Sequence, residues 1–302
     1  MKREIRTKKE AWLHAVRLRT LPLALASIFA GSFLAYWQAA FRWEVLLLAS
    51  LTTIFLQILS NLSNDYGDTV HGADSDARQG PVRAVQSGLI TLPEMKRAMF
   101  LFGGLSLVAG LLLIYISLQD WRLFLGFLGL GLAAIWAAIR YTSGNNPYGY
   151  AGLGDVSVFL FFGLVGVCGT FFLHSLSAEP LSLLIAVSLG CFSTAVLNIN
   201  NIRDIDSDLL AGKKSIPVRI GKTKALYYHW TLIVLAYACL FVFSWISMRP
   251  YTLLAALTLP WMLSIGKGIQ QAENAAATDP FLKKMALSTL LWTLLFGLGL
   301  SL

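Results

Sequence analysis

The chain of 302 residues carries 24 Lys and Arg against 16 Asp and Glu, a net charge of +8, and only 13% of it is charged. Soluble domains carry about 25% charge; here 56% of residues are hydrophobic and the mean hydropathy is +0.65. A secreted disulfide scaffold, a nucleic-acid-binding domain and a soluble enzyme are excluded, and an all-α polytopic membrane protein with polar loops is expected.

Nine stretches are nearly free of charge: 21–37, 45–62, 98–118, 123–141, 155–174, 181–199, 227–247, 251–265 and 286–302. At about 1.5 Å per residue, stretches of this length with their flanks cross a hydrocarbon core of about 30 Å. Lipid offers no partner to open backbone groups and no period-two alternation is present, so nine transmembrane helices are predicted rather than a β-barrel. Residues 1–20 form a basic lead. Thr20 stands where a helix cap belongs, and Pro22 suits a first turn. The first stretch lacks the small-x-small exit of a cleaved signal peptide and is expected to be retained as helix 1. It and 251–265 are short for a span.

The second stretch runs into Asn64-Asp65-Tyr66-Gly67-Asp68, followed by Asp74, Asp76, Arg78 and Arg83. If that helix continues past residue 62, Asn64 and Asp68 share one face. His71 lies in the same loop. The fourth stretch ends at Arg140, and the loop after it alternates glycine with Tyr141, Tyr148 and Tyr150 before Asp155 opens the fifth. Asp155 is either a carboxylate at the mouth of a cavity or a helix-start charge, and the tyrosines either face a cation or pack at the interface. The sixth stretch runs into Asn200-Asn201-Ile202-Arg203-Asp204, then Asp206, Asp208, Lys213, Lys214 and Arg219. Cys168, Cys191 and Cys239 lie inside apolar stretches without metal or redox spacing and read as small core side chains.

Shifting the chain by 136 residues places Asn64 on Asn200, Asp68 on Asp204 and Pro81-Val82-Arg83 on Pro217-Val218-Arg219, five identities over the 20 residues 64–83 and 200–219. A single domain, 1–302, with internal pseudo-symmetry is expected. Two faces of hard oxygen ligands at matched depth, Asn64 and Asp68 with Asp204 and Asp208, repel one another without a cation, and Mg²⁺ suits them. A basic run follows each acidic one; Arg78, Arg83, Lys213 and Arg219 are placed to hold the anion that such a metal bridges. Wet polar loops are the plain alternative for one such segment, and the repetition favours a site. Sorted by loop, 21 of the 24 basic residues fall on one side of the nine stretches, and only Arg42, Arg122 and Arg249 on the other. The positive-inside rule then puts the N-terminus in the cytoplasm and the C-terminus outside.

Asn64-Asp65-x-x-Asp68 and Asp204-x-x-x-Asp208 resemble the two aspartate-rich motifs of the UbiA superfamily of intramembrane aromatic prenyltransferases. Arg19-Thr20-Leu21-Pro22, Leu59-Ser60-Asn61-Leu62, Tyr148-Gly149-Tyr150, Gly152-Leu153-Gly154-Asp155 and Val218-Arg219 extend the resemblance along nearly the whole chain. Gly72 stands where the superfamily commonly has a third Asp, with Asp74 and Asp76 the next acids, and Asn146 stands where many relatives carry a basic residue. The strings resemble most the branch acting on 1,4-dihydroxy-2-naphthoate.

That resemblance implies helices around a central cavity in a bacterial inner membrane. It also implies Mg²⁺ on Asp65, Asp68, Asp204 and Asp208, a polyprenyl diphosphate donor, and a demethylmenaquinone product formed with loss of CO₂. Arg19, Tyr141 and Asp155 are the candidates for orienting the acceptor or facing the allylic cation, the lipid bilayer is the other partner, and no nucleic acid is involved. A sibling acceptor such as 4-hydroxybenzoate is the alternative. An ion-coupled transporter is remote, because helices 2 and 6 carry no charge through their middles.

Overall fold

The computed structural model describes residues 7–72 and 83–302. Asp74, Asp76 and Arg78 lie outside the described residues. Among the described residues nine helices are long and apolar enough to cross a membrane.

The first span is broken near its start. Helix α1, Lys8–Val16, opens on a capping box in which Thr7 and Glu10 each bind the other's backbone N–H. It stops at Arg17, whose φ of 52° and ψ of 59° are left-handed, and a 3₁₀ turn over Leu18–Thr20 leads into α2, Leu21–Trp37. Pro22 sits in the first turn of α2 as expected. Thr20 does not cap it. Its hydroxyl donates to the Arg17 carbonyl at 2.9 Å and accepts from Asn61 at 3.1 Å, so it braces the break instead.

The remaining helices follow in order: α3 (Trp43–Val70), α4 (Leu92–Ser117), α5 (Trp121–Arg140), α6 (Gly154–Ser175), α7 (Ser182–Arg203), the short α8 (Ile205–Leu210), α9 (Ile216–Ser247), α10 (Pro250–Gln271) and α11 (Ala275–Ser301). Helix α3 runs eight residues past the apolar stretch 45–62, so the first acidic motif is helical. Helix α10 reaches beyond the short stretch 251–265 at both ends, and its first nine residues, Pro250–Thr258, are 3₁₀ helix. That winding rises about 2.0 Å per residue against about 1.5 Å for α-helix, which lengthens the span.

Helix α7 is the axle of the bundle: 72% of its apolar window is buried, against 6% for α5. Leu189, Phe192, Phe243, Trp292 and Phe296 from α7, α9 and α11 form the densest core, with Trp292 stacked on Phe296 at 5.6 Å. Packed against α7, residues 159–169 of α6 wind as a wide π-helix. The Ser27 hydroxyl of α2 donates to the Phe162 carbonyl within this wide stretch. Backbones touch directly here: a Cβ on Gly31 would meet the Val167 carbonyl and the Thr170 Cβ at 2.9 Å. In lipid there is no hydrophobic force between helices, so such close small-residue contacts carry the association.

Gly31→Val is therefore expected to cost about 1–3 kcal/mol through overpacking and to lower the thermal midpoint of the detergent-solubilised protein. Gly103→Ala, whose added Cβ meets only Leu59 at 3.9 Å, should leave the midpoint unchanged or raise it.

Candidate active site

The two acidic motifs meet at one end of the bundle. On α3, Asn64 and Asp68 are one turn apart and both line a small polar pocket. Asp65 lies about 100° round the helix and is not part of that lining. It is 2% exposed and sits behind the pocket, where its Oδ1 accepts from Arg17 at 2.8 Å and from Arg83 at 2.7 Å, and its Oδ2 from the Ala84 N–H at 3.3 Å. Asp65, expected as a metal ligand, is thus found outside the pocket lining and paired with two arginines that line it. Arg83 also reaches Asp68 at 2.5 Å.

The second motif straddles a helix junction. Helix α7 ends at Arg203, Asp204 sits in the joint, and α8 begins at Ile205. The chain keeps a helical step across the break, since the Asp208 N–H donates to the Asp204 carbonyl at 2.8 Å. Asn200, Asp204 and Asp208 consequently line the same pocket as Asn64 and Asp68. Lys213 closes the ring, with its Nζ 3.1 Å from Asp68 and 3.3 Å from Asp208. The ammonium also lies 4.9 Å over the Tyr150 ring, and the Tyr150 hydroxyl donates to Asp68 at 2.9 Å.

The tyrosine-glycine loop forms the lid side. Gly67 has no Cβ to keep away the Thr142 backbone, and the Thr142 hydroxyl bonds the Asn64 side chain at 3.0 Å. Asp155 is 5% exposed and lines the pocket; it makes no cap, because Leu153 precedes the helix, and the Tyr228 hydroxyl donates to it at 3.3 Å. Arg219, expected to hold the anion, is exposed, lies outside the lining and donates to the Ala151 carbonyl, so it staples this loop. His71 also turns away, 3.1 Å from the Gly144 carbonyl.

A second cavity of about 400 Å³ opens beside the polar pocket of about 60 Å³. Its walls are largely apolar side chains of α2 to α7 and α11. Arg17, Asn64, Tyr141 and Asn200 line both cavities, and Arg19 lines the larger one. Tyr141 meets Tyr148 edge-on at 5.4 Å. Burial first, and the Asp155 charge second, push the Tyr141 phenol well up from its ordinary value, so it remains a neutral hydroxyl. Residues that the sequence did not single out hold the frame: Arg17 at the left-handed break, Arg203 bonded to Asp204 through both carboxylate oxygens, and Asp279 between Arg19 and Arg203.

The donor set is hard oxygen throughout and suits a divalent cation such as Mg²⁺ or Ca²⁺. Among the described residues no three carboxylates or imidazoles converge on one point; the Lys213 ammonium stands between Asp68 and Asp208, as a cation between ligands would. Burial pushes the Asp208 carboxyl up to about 6; Lys213 opposes that shift, and the neighbouring charges of Asp204 and Asp68 add to it. A raised carboxyl gains its proton as pH falls through its pKa, and a proton there competes with a metal. Divalent-cation affinity, read by Mn²⁺ titration in detergent, should weaken about tenfold from pH 7 to pH 5, and Asp208→Asn should flatten that dependence.

Residues 24–297 match the model of the UbiA prenyltransferase family. The chain is 43% identical over 295 residues to the 1,4-dihydroxy-2-naphthoate octaprenyltransferase of Escherichia coli, covering 97% of this chain and 96% of that one. It is 35% identical to the enzyme of the same description from Mycobacterium tuberculosis, over 94% of each. Among solved structures, a UbiA homolog from Aeropyrum pernix K1 superposes with a TM-score of 0.68 at 16% identity, covering 94% of this chain and 97% of that one. A UbiA homolog from Archaeoglobus fulgidus bound to GPP and Mg²⁺ does so with a TM-score of 0.65 at 16% identity, covering 97% and 100%. The chain belongs to the UbiA prenyltransferase family.

Proposed function

We propose that this chain transfers a polyprenyl group from polyprenyl diphosphate to 1,4-dihydroxy-2-naphthoate, with release of CO₂ and diphosphate, giving the demethylmenaquinone skeleton. The observation that carries the reading is the joint at Arg17, Asn64, Tyr141 and Asn200, where a charged polar pocket meets an apolar chamber. A polyprenyl diphosphate has the same division, a polyanion on a hydrocarbon chain, and its reacting carbon lies at the boundary. The naphthoate as acceptor is supported by the activity of relatives 43% and 35% identical to this chain.

Asn64, Asp68, Asn200, Asp204 and Asp208 hold Mg²⁺, which when bound supplies charge stabilisation to the departing diphosphate. Arg83 and Lys213 neutralise the same anion, and Asp65 keeps Arg83 and Arg17 directed at the pocket from behind. The allylic C–O bond breaks with its electron pair going to diphosphate, and a ring carbon of the acceptor supplies the pair for the new C–C bond; the ring–carboxylate bond then breaks, releasing CO₂ and returning its electron pair to the ring. Tyr141 stands at the joint with its ring available to the cation. Arg19 and Asp155 orient the aromatic acid. The apolar chamber, central to the nine helices, excludes the water that would quench the cation.

By the positive-inside rule we assign the basic end of the bundle to the cytoplasm, with the pocket and the N-terminus inside and the C-terminus outside a bacterial inner membrane. The chain is one membrane domain, 1–302, whose two motif-bearing units are related.

The deciding experiment incubates membranes carrying the protein with labelled polyprenyl diphosphate and either 1,4-dihydroxy-2-naphthoate or 4-hydroxybenzoate, and reads product mass. Prenylated, decarboxylated naphthohydroquinone is expected, read as such or as the quinone that dissolved oxygen makes of it, and it should vanish on chelation. Product from 4-hydroxybenzoate alone would sink the assignment. Asp68→Ala and Asp204→Ala should each lower kcat/KM by at least about tenfold, a loss of some 1.4 kcal/mol of transition-state stabilisation, with the folded protein recovered in normal amount.

A further inference from the structure

The last spanning helix carries a carboxylate that touches neither cavity. Asp279 lies in the second turn of α11, one residue before Pro280. Leu282 and Ala286, three and seven residues further on, line the apolar chamber, so Asp279 occupies the site-end of the helix face that walls it. Its two oxygens are divided between two arginines from distant parts of the chain. Oδ1 accepts from Arg203 Nη1 at 2.5 Å, and Oδ2 from Arg19 Nη1 at 3.1 Å.

Each arginine leads to a different cavity. The Arg203 side chain is 2% exposed and spends its planar fork on three partners: Nε and Nη2 on the two oxygens of Asp204 at 2.8 and 2.6 Å, Nη2 also on Asn200 at 2.8 Å, and Nη1 on Asp279. Arg203 is not in the pocket lining, while Asp204 and Asn200 are, so it grips the second motif from behind. Arg19, the middle residue of the 3₁₀ turn Leu18–Thr20, lines the apolar chamber. A fork-shaped donor set fixes direction as well as charge. Moving the Asp279 carboxylate would therefore swing both guanidinium groups.

The geometry points to Asp279 as a positioning residue that sets Asp204 and Asn200 through Arg203 and the acceptor-facing Arg19 directly, so that metal and acceptor binding depend on one carboxylate. The acceptor half of this inference rests on the proposed naphthoate prenyl transfer; the metal half does not. Removing the charge leaves the buried Arg203 guanidinium with one carboxylate partner where it had two, and leaves two like charges facing each other across the gap.

The test uses the full chain in detergent with Asp279→Asn, which keeps the shape and removes the charge, and Asp279→Glu, which keeps the charge on a longer arm. Mn²⁺ binding is titrated without substrate, and KM for the naphthoate and kcat are measured with Mg²⁺ saturating. Asp279→Asn is expected to raise the half-saturating Mn²⁺ concentration and the naphthoate KM at least fivefold each. Asp279→Glu should recover at least half of each loss. Where the Asn variant fails to fold, the Glu variant carries the test, with both constants shifted at least twofold by its displaced oxygens. Both constants unchanged with only a lowered thermal midpoint would reduce Asp279 to a structural tie and overturn the inference. A wild-type chain that makes no naphthoate product would sink the proposed function, and the Mn²⁺ arm would still decide whether Asp279 sets the metal side.

Discussion

The fold is organised around a group of carboxylates that cannot be left unpaired. Asp65, Asp68, Asp204 and Asp208 are each no more than 7% exposed, and an ionised carboxylate withdrawn from water costs several kcal/mol unless cations and hydrogen bonds repay it. The protein answers with alternation. Arg17 holds Asp65, Arg83 joins Asp65 to Asp68, and Lys213 joins Asp68 to Asp208. On the other side Arg203 joins Asp204 to Asp279, which in turn holds Arg19. These cations come from the N-terminal break, the segments after α3 and α8, and the end of α7. The acidic motifs therefore dictate where distant parts of the chain must converge. Replacing Arg203 by a neutral residue would cost Asp204 the fork that holds both its oxygens, so the same ion pairs serve the site and the packing at this end.

The irregularities of the helices serve the same convergence. A straight helix through residue 17 would carry Arg17 onward with the helical twist. The left-handed turn there, which costs a non-glycine residue roughly 1–2 kcal/mol, lets one arginine face both cavities. The joint at Asp204 likewise separates the axle α7 from the short α8 while keeping the four-residue step to Asp208. Both breaks are braced by side-chain bonds, from Thr20 and Asn61 at the left-handed turn and from Arg203 at the Asp204 joint.

What the sequence revealed follows from the range of the interactions involved. The spans were legible because lipid imposes a local rule on every residue of a helix. The pairing of Asn64 with Asp68, and of Asp204 with Asp208, was legible because helical periodicity is local too. The same periodicity already set Asp65 on another face, and adjacency in a motif masked that. Asp279 and Arg203 were hidden because their partners lie as far as 260 residues away, as Asp279 does from Arg19. Nothing about an Asp before a Pro, or an Arg before an Asp, states which distant guanidinium or carboxylate it will meet. Arg219 misled for the complementary reason: the repeat aligned it with Arg83. Its environment is a glycine-rich loop whose carbonyls were open to it, so it staples Ala151 and leaves the pocket to Lys213.

The contrast between α7 and α5 bears on how one bundle serves two opposite requirements. The charged pocket needs ligands fixed in place, and α7, packed on nearly every side, supplies Asn200 and the approach to Asp204. A chamber for a long hydrocarbon needs walls that yield, and α5 supplies one that packs little of its surface against neighbours. Gly126, Gly129 and Gly131 on α5 have open space where a Cβ would point, while Phe124, Phe127 and Leu128 on the same helix pack on neighbouring helices. Lipid is as good a neighbour as protein for such a surface. Rigidity thus belongs to the polar end, where a misplaced ligand oxygen leaves a charge unpaired. Compliance belongs to the apolar side, where a displaced methylene forfeits only dispersion contacts of about 0.1–0.2 kcal/mol each.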